Sequence, residues 1–472
     1  MATRAVDNDL EKLLQLIGPL KTPVQVRKIE IAKVNSDGTV SPQCPDFISK
    51  EQAYEDIDML GYLLETGYAG LHYMETCGVS VQSLLDTLRQ TVGQSEGQVS
   101  VRELESLLAR SLEGIKDNHL IFLGHEFHHG PAGHMDAYVS DVLVRSTGRA
   151  GEYEVIDSFV DRIPISSVII DRGGPTRFFK TLSCKGQEHY LVGTLSWSLV
   201  DRISIACDDE NIEVPVHRIR VADARPSRGP GKCRLDDVDG IPVISAKSFM
   251  GSDWQMLEDL RKWGRELREA KAFVLDISNN NGGDSTFPEA FFRSLLGTLD
   301  RQFMFAELRS PTMLQAREAM ERPKDPYFRV SEWHRRRRLR RYRRHHVKEW
   351  IVHKPGPASR RKAGCKCEHV VVVMNSRTVS AAESVIPMAR SVPNVVLVGE
   401  NTAGCNRFGN IIVYCLPNSK IKFQLASSVS LLPGFEEGVG FMPDYWIDSA
   451  DPVGEVVRWL NNPDTYRFRL SQ

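Results

Sequence analysis

The hexapeptide His369-Val-Val-Val-Val-Met374 leaves a folding chain little choice. Five consecutive apolar residues, four of them β-branched, favour extended backbone, and a strand that is apolar on both sides must be covered on both sides. Such strands sit inside parallel sheets with other layers packed over each face. The neighbouring sequence has the same grammar. Ile241-Pro-Val-Ile-Ser245 and Ala272-Phe-Val-Leu-Asp-Ile277 read as strands and residues 253–270 as the amphipathic helix between them. A helix from Ser380 to about Arg390 separates His369–Met374 from the strand Asn394-Val-Val-Leu-Val398. Strands and helices alternating in this way make βαβ units, so the fold class is α/β with a mostly parallel core sheet.

The rest of the chain follows other patterns. Residues 9–17, 50–67 and 80–115 carry apolar residues at helical spacing, and Ser49-Lys-Glu-Gln52 and Ser100-Val-Arg-Glu103 are capping-box sequences. Short β-rich runs follow between about 119 and 222, including Asp136–Val144, Ser167–Ile170 and Tyr190–Leu195. Ala224-Arg-Pro-Ser-Arg-Gly-Pro-Gly-Lys232 reads as a linker. The expected organisation is a helical N-terminal region (1–118), a β-rich middle segment carrying the base (119–235), a first half of the catalytic core (236–304), a basic insertion (305–365) and a second core half with the nucleophile (366–472).

Composition narrows the class. With 60 Lys plus Arg against 61 Asp plus Glu, the formal net charge is −1, so no global field draws the chain to nucleic acid or membrane. No apolar run is long enough to span a bilayer, and the start lacks the pattern of a secretory signal. The 9 cysteines, scattered and odd in number, read as reduced thiols of a cytoplasmic compartment. Cys365-x-Cys367 lacks zinc-knuckle spacing, and neither metal nor cofactor is expected.

Two local patterns carry chemistry. Ser380-Ala-Ala-Glu383 opens a helix directly after a buried strand. As Ser-x-x-Glu it is also a capping box, and taken alone the cap is the better reading. Yet a serine at a strand-to-helix turn lies beside helix N-terminal amides that can hold an oxyanion. Asp276-Ile-Ser-Asn-Asn-Asn-Gly-Gly283 is a strand end entering a glycine turn, where backbone N–H groups can approach a reacting carbonyl.

Taken in order, Lys116-Asp-Asn-His-Leu120, the Asp276–Gly283 turn, Ser380–Glu383, Gly399-Glu-Asn-Thr-Ala-Gly404 and Glu437-Gly-Val-Gly-Phe-Met-Pro-Asp444 resemble the tail-specific, or C-terminal processing, serine peptidases. That family includes the core of the tricorn protease and, in a non-peptidase role, interphotoreceptor retinoid-binding protein. The resemblance covers about residues 45–120 and 236–450 and implies a core of crotonase-like ββα units. It implies Ser380 as nucleophile, with N–H groups of Gly282 or Gly283 and of Ala381 as the oxyanion hole. Dyad members carry a lysine in a Gly-Lys-Gly segment where this chain has Gly404-Cys405-Asn406. The resemblance therefore points to the tricorn-like branch, with His119 as base near its reference pKa of about 6.5 and Glu437, or its neighbour Glu436, orienting it through a polar relay. Asn118, Leu120 and Ser278 depart from the family pattern, and residues 135–225 show no recognisable PDZ module.

Rival readings attach to other features. A catalytically weak or inactive binding protein on the same fold is the main alternative. His125-Glu-Phe-His-His129 satisfies the H-E-x-x-H zinc signature through His125, Glu126 and His129, but its glycine-bracketed setting does not suit the helix that chemistry needs. The insertion carries the basic run Arg335–Arg344 with Trp333, Tyr342 and Trp350 interleaved, an expected contact for an anionic partner. A peptide or protein substrate, no membrane contact and a homo-oligomer complete the expectations.

Overall fold

His369–Met374 lies inside a six-stranded sheet, where its alternating residues enter two different cores. Val370, Val372 and Met374 join one apolar cluster, and Val371 and Val373 join the other. The computed structural model describes residues 2–19, 25–32, 44–112, 114–128, 133–208, 210–221, 233–251, 253–319, 337, 349–356 and 364–470. The 224–232 linker and, apart from Arg337, the Arg335–Arg344 run lie outside the described residues.

The sheet runs in the order Cys233–Val238, Ile241–Ala246, Ala272–Asp276, His369–Met374, Val395–Gly399, Tyr445–Trp446. Its first pair is an antiparallel hairpin in which Val238 faces Ile241 across Asp239 and Gly240, both at positive φ. That is the two-residue turn Asp-Gly favours. The remaining junctions are parallel. Helices Trp254–Glu266, Thr286–Leu296 and Val385–Ala389 cover one face. The other face packs against the helix Pro452–Asn461 and strands of the middle segment.

Over the whole molecule the expectation of a mostly parallel sheet needs correction. The fold is mixed α/β, and strand pairing in the two other large sheets is antiparallel. Residues 136–218 form an eight-stranded sheet. A seven-stranded sheet joins Glu30–Ile31, Phe408–Cys415, Lys422–Leu431, Met304–Arg309 and Glu349–His353, with Ile121–Leu123 also paired to Lys422–Leu431. The chain after Gly399 thus leaves the parallel sheet for the antiparallel one.

The helices Ala2–Leu16, Lys50–Gly67, Val81–Gln94 and Val101–Ser111 cover that seven-stranded sheet. Ser49 and Gln52 form the full capping box expected of them, and Ser100 Oγ accepts from Glu103 N–H. The 80–115 stretch is not one helix. At Gly97 the chain takes φ +85° and enters the strand Gln98–Ser100, paired with Phe47–Ser49. Among the described residues no helix is long and apolar enough to cross a membrane.

Gly399 ends its strand at φ +132°, where an added Cβ would fall on the Met374 carbonyl oxygen. Both the backbone angle and the lack of space oppose a side chain. Gly399→Ala should destabilise the fold by about 2 kcal/mol or more, read as a lowered urea midpoint. An unchanged midpoint would mean that the loop relaxes freely.

Candidate active site

Ser380 follows the loop leaving His369–Met374 and opens a single 3-10 turn, Ser380–Ala382, at φ +56°. A non-glycine residue costs roughly 1–3 kcal/mol in such a conformation, so neighbours must hold it. Val379 N–H donates to Asn280 O at 2.9 Å, and Thr378 Oγ1 donates to Ile277 O at 3.0 Å, fixing the turn to the glycine loop. Ser380 N–H donates to Glu383 Oε2 at 3.0 Å.

That last bond is half of a capping box. The other half is absent, because Ser380 Oγ lies 3.0 Å from His119 Nε2. With the ring proton on Nδ1 the hydroxyl donates to Nε2, as a general base requires. His119 sits between helix Val101–Ser111 and strand Ile121–Leu123, and its N–H donates to Asp117 Oδ1 at 2.8 Å. Its ring is buried, and burial pushes the imidazole down to about 4, partly offset by the Phe408 carbonyl. The sequence expectation of a base near its reference value is corrected by desolvation.

Glu383 is wholly buried. Besides Ser380 N–H it accepts from Thr402 Oγ1 at 2.6 Å, Gly404 N–H at 2.8 Å and Cys405 N–H at 2.9 Å. Burial outweighs these bonds and raises its pKa to about 7. Its role as an organiser was missed when it was read only as a cap.

The expected relay from Glu437 to the His119 ring is not made. Glu437 is buried, and its carboxylate accepts from Asn118 N–H at 3.2 Å and Arg407 N–H at 2.9 Å. It therefore braces the backbone beside His119. Nδ1 of His119 has no side-chain acceptor among the described residues. Asp117, buried and hydrogen-bonded by Tyr68 Oη at 2.7 Å, is pushed up to about 6 by desolvation. Glu437 is raised well above its ordinary value by burial and by Asp117. Glu436 is exposed on a short hairpin strand.

In the glycine loop, a Cβ on Gly282 would come 3.0 Å from Ser380 Cβ and 3.2 Å from Ala381 N. The loop therefore abuts Ser380. Gly282 N–H already donates to Asn280 Oδ1 at 2.9 Å, so of the expected oxyanion donors Gly283 and Ala381 are left. Neither N–H makes a hydrogen bond among the described residues. Sequence reading also missed Lys247. Its Nζ donates to Asp276 Oδ2, and to Ser278 O and Oγ at 3.0 Å each, placing a cation beneath the turn.

The H-E-x-x-H segment is a hairpin and not a helix. Ile121–Leu123 pairs with Phe127–His128 around it, His125 Nδ1 lies 3.1 Å from Glu105 Oε2, and His129 is outside the described residues. Among the described residues no group of three or more histidine, cysteine or acidic side chains is placed to hold a metal. All 9 cysteines are free thiols.

A serine held in a strained turn against a buried imidazole belongs to the chemistry of serine hydrolases, and the chain is a serine-type peptidase. Residues 240–447 match the model of Peptidase family S41. No curated protein sequence matches the chain. Among solved structures it is similar to mature CPAF complexed with lactacystin, at 14% identity, TM-score 0.46, 88% of this chain and 99% of that one. It is also similar to the photosystem II D1 C-terminal processing protease, at 13% identity, TM-score 0.39, with coverage of 89% and 100%. For the tricorn protease the values are 10%, 0.33, 86% and 35%.

The raised pKa of Glu383 has a stability consequence. Folding takes up a proton between the ordinary value of 4.5 and about 7, so this group's contribution to stability falls as pH rises through that window. Glu383→Gln should be less stable than the parent at pH 5. The deficit should narrow by on the order of 3 kcal/mol toward pH 8, measured by denaturant melts at each pH. A deficit independent of pH would show that the carboxyl is ionised throughout.

Proposed function

We propose that the chain hydrolyses peptide bonds, as an endopeptidase or C-terminal processing peptidase, by acyl transfer through Ser380 with His119 as general base. The observation that carries this reading is the 3.0 Å approach of Ser380 Oγ to His119 Nε2, with the serine at φ +56°. Ser380 attacks the scissile carbonyl while Nε2 takes the hydroxyl proton. The same nitrogen then returns it to the departing amine, and water repeats the cycle on the acyl-enzyme. Gly283 and Ala381 N–H groups stabilise the oxyanion.

In this reading Glu437 positions and does not relay. By holding Asn118 N–H and Arg407 N–H it fixes the backbone that carries His119. The non-catalytic binding alternative is not favoured by a hydroxyl withdrawn from its cap and set against an imidazole. An anionic partner at Arg335–Arg344 and a homo-oligomer stay as further proposals.

A fluorophosphonate probe should label the parent protein and not Ser380→Ala, and this substitution should lower peptide turnover by roughly 10,000-fold or more. Labelling that persists in Ser380→Ala would sink the assignment. The buried base has a pH signature too. Because His119 is neutral above about 4, the acidic limb of kcat/KM should fall near that value and leave substantial activity at pH 5. A limb near 6.5, unmoved by His119→Gln, would identify a different base.

A further inference from the structure

We infer that Lys116 and Trp197 form a subsite that recognises a carboxylate of the peptide substrate; this rests on the peptidase reading above. Trp197 and Leu199 are 42% and 78% exposed on one turn of the middle segment. Exposed large side chains grouped beside a catalytic centre mark a contact surface. The indole is not loose. A Cβ on Gly438 would come 2.8 Å from its Cη2, and one on Gly133 would come 3.8 Å from its Cε3. Over the ring lies Lys116 Nζ, 4.3 Å from the centroid.

Both halves of this platform are anchored in the segments that carry the base. Lys116 precedes His119 by three residues, and Gly438 follows Glu437, whose carboxylate accepts from Asn118 N–H. Gly438 N–H in turn donates to Gly404 O at 2.7 Å, beside the loop that holds Glu383. The platform is thus tied to both the His119 segment and the Glu437 hairpin.

The chemistry of the pair selects the ligand. Lys116 is exposed and forms no ion pair or hydrogen bond through its ammonium among the described residues. The cation–π contact holds it in place while leaving its N–H donors free for an anion. The indole gives an apolar floor for the methylenes or neighbouring side chain of that anion. A carboxylate on a short apolar stem fits, either an Asp or Glu side chain or the C-terminus of the peptide.

Binding can be measured without turnover on the Ser380→Ala protein, by fluorescence anisotropy with three labelled peptides of one backbone sequence. One carries a Glu side chain and an amidated end, one a neutral side chain and a free C-terminus, and one is neutral and amidated. At least one carboxylate peptide should bind about fivefold or more tighter than the neutral amide, and which one does so identifies the source of the carboxylate. Adding Lys116→Gln should level the affinities, Lys116→Glu should reverse the preference, and Trp197→Ala should weaken all three. Equal affinities for the three peptides, or a preference that survives Lys116→Gln, would overturn the subsite. Turnover of the same peptides by the unaltered protein separates the two readings. Cleavage without any carboxylate preference ends the subsite alone, whereas preference without cleavage of any peptide ends the peptidase reading and leaves the carboxylate site supported.

Discussion

The Glu383 carboxylate is shut away from water, and the geometry of the whole site hangs on its donors. It gathers N–H groups from Ser380, Gly404 and Cys405 and the hydroxyl of Thr402. A buried carboxylate without such bonds is prohibitively costly, so none of them can be released cheaply. The Ser380 turn and the Gly399–Gly404 loop therefore behave as one unit. The arrangement also reuses a common helix-start motif. In a capping box the serine hydroxyl would turn back on its own helix; here the glutamate keeps its bond to the serine N–H while the hydroxyl turns to His119.

The same burial sets the electrostatics. Desolvation raises Asp117, Glu383 and Glu437, and the charges of the first two raise Glu437 further. Desolvation acts on His119 in the opposite sense, because its charged form is the cationic one. A neutral imidazole is thereby assured over a wide pH range, at some cost in basicity. The low dielectric of the buried groups strengthens the hydrogen bonds they make.

Much of the central sheet was legible because alternation is a local property. Residues 272–276 and 369–374 send side chains to two cores, and their apolar runs say so without reference to distant partners. Ser380 and His119 were legible through motifs in a fixed order, although 261 residues separate them. The antiparallel sheet was not. Ile121–Leu123 finds its partner at 422–424, and no local pattern encodes so remote a pairing. The Asp239-Gly240 hairpin and the break at Gly97 did carry local signals, a turn dipeptide and a lone glycine, which the helix and strand periods around them obscured. Lys247 had no motif at all; only the adjacency of two parallel strands sets it under the glycine turn. The choice between Glu436 and Glu437 was one of facing, decided by a short hairpin that leaves the first exposed and the second buried.

Ser380 and His119 lie beside strands of different sheets, so their register has to be transmitted between two cores. One segment does this. At Gly399 it leaves the parallel sheet beside the strand that leads to Ser380. Thr402, Gly404 and Cys405 then bind Glu383, Arg407 N–H binds Glu437, and Phe408 enters the antiparallel sheet. Across these ten residues the chain touches first the brace of Ser380 and then the brace of the His119 segment. A shift of this crossover would move both partners against one another, and hydrogen-bonded groups tolerate little displacement before the bond fails. The glycines at its two turns are accordingly demanded by space as much as by φ, since a Cβ at Gly404 would come 2.5 Å from the Gly438 and Val439 amide nitrogens. The crossover, more than either sheet, determines whether the hydroxyl and the imidazole meet.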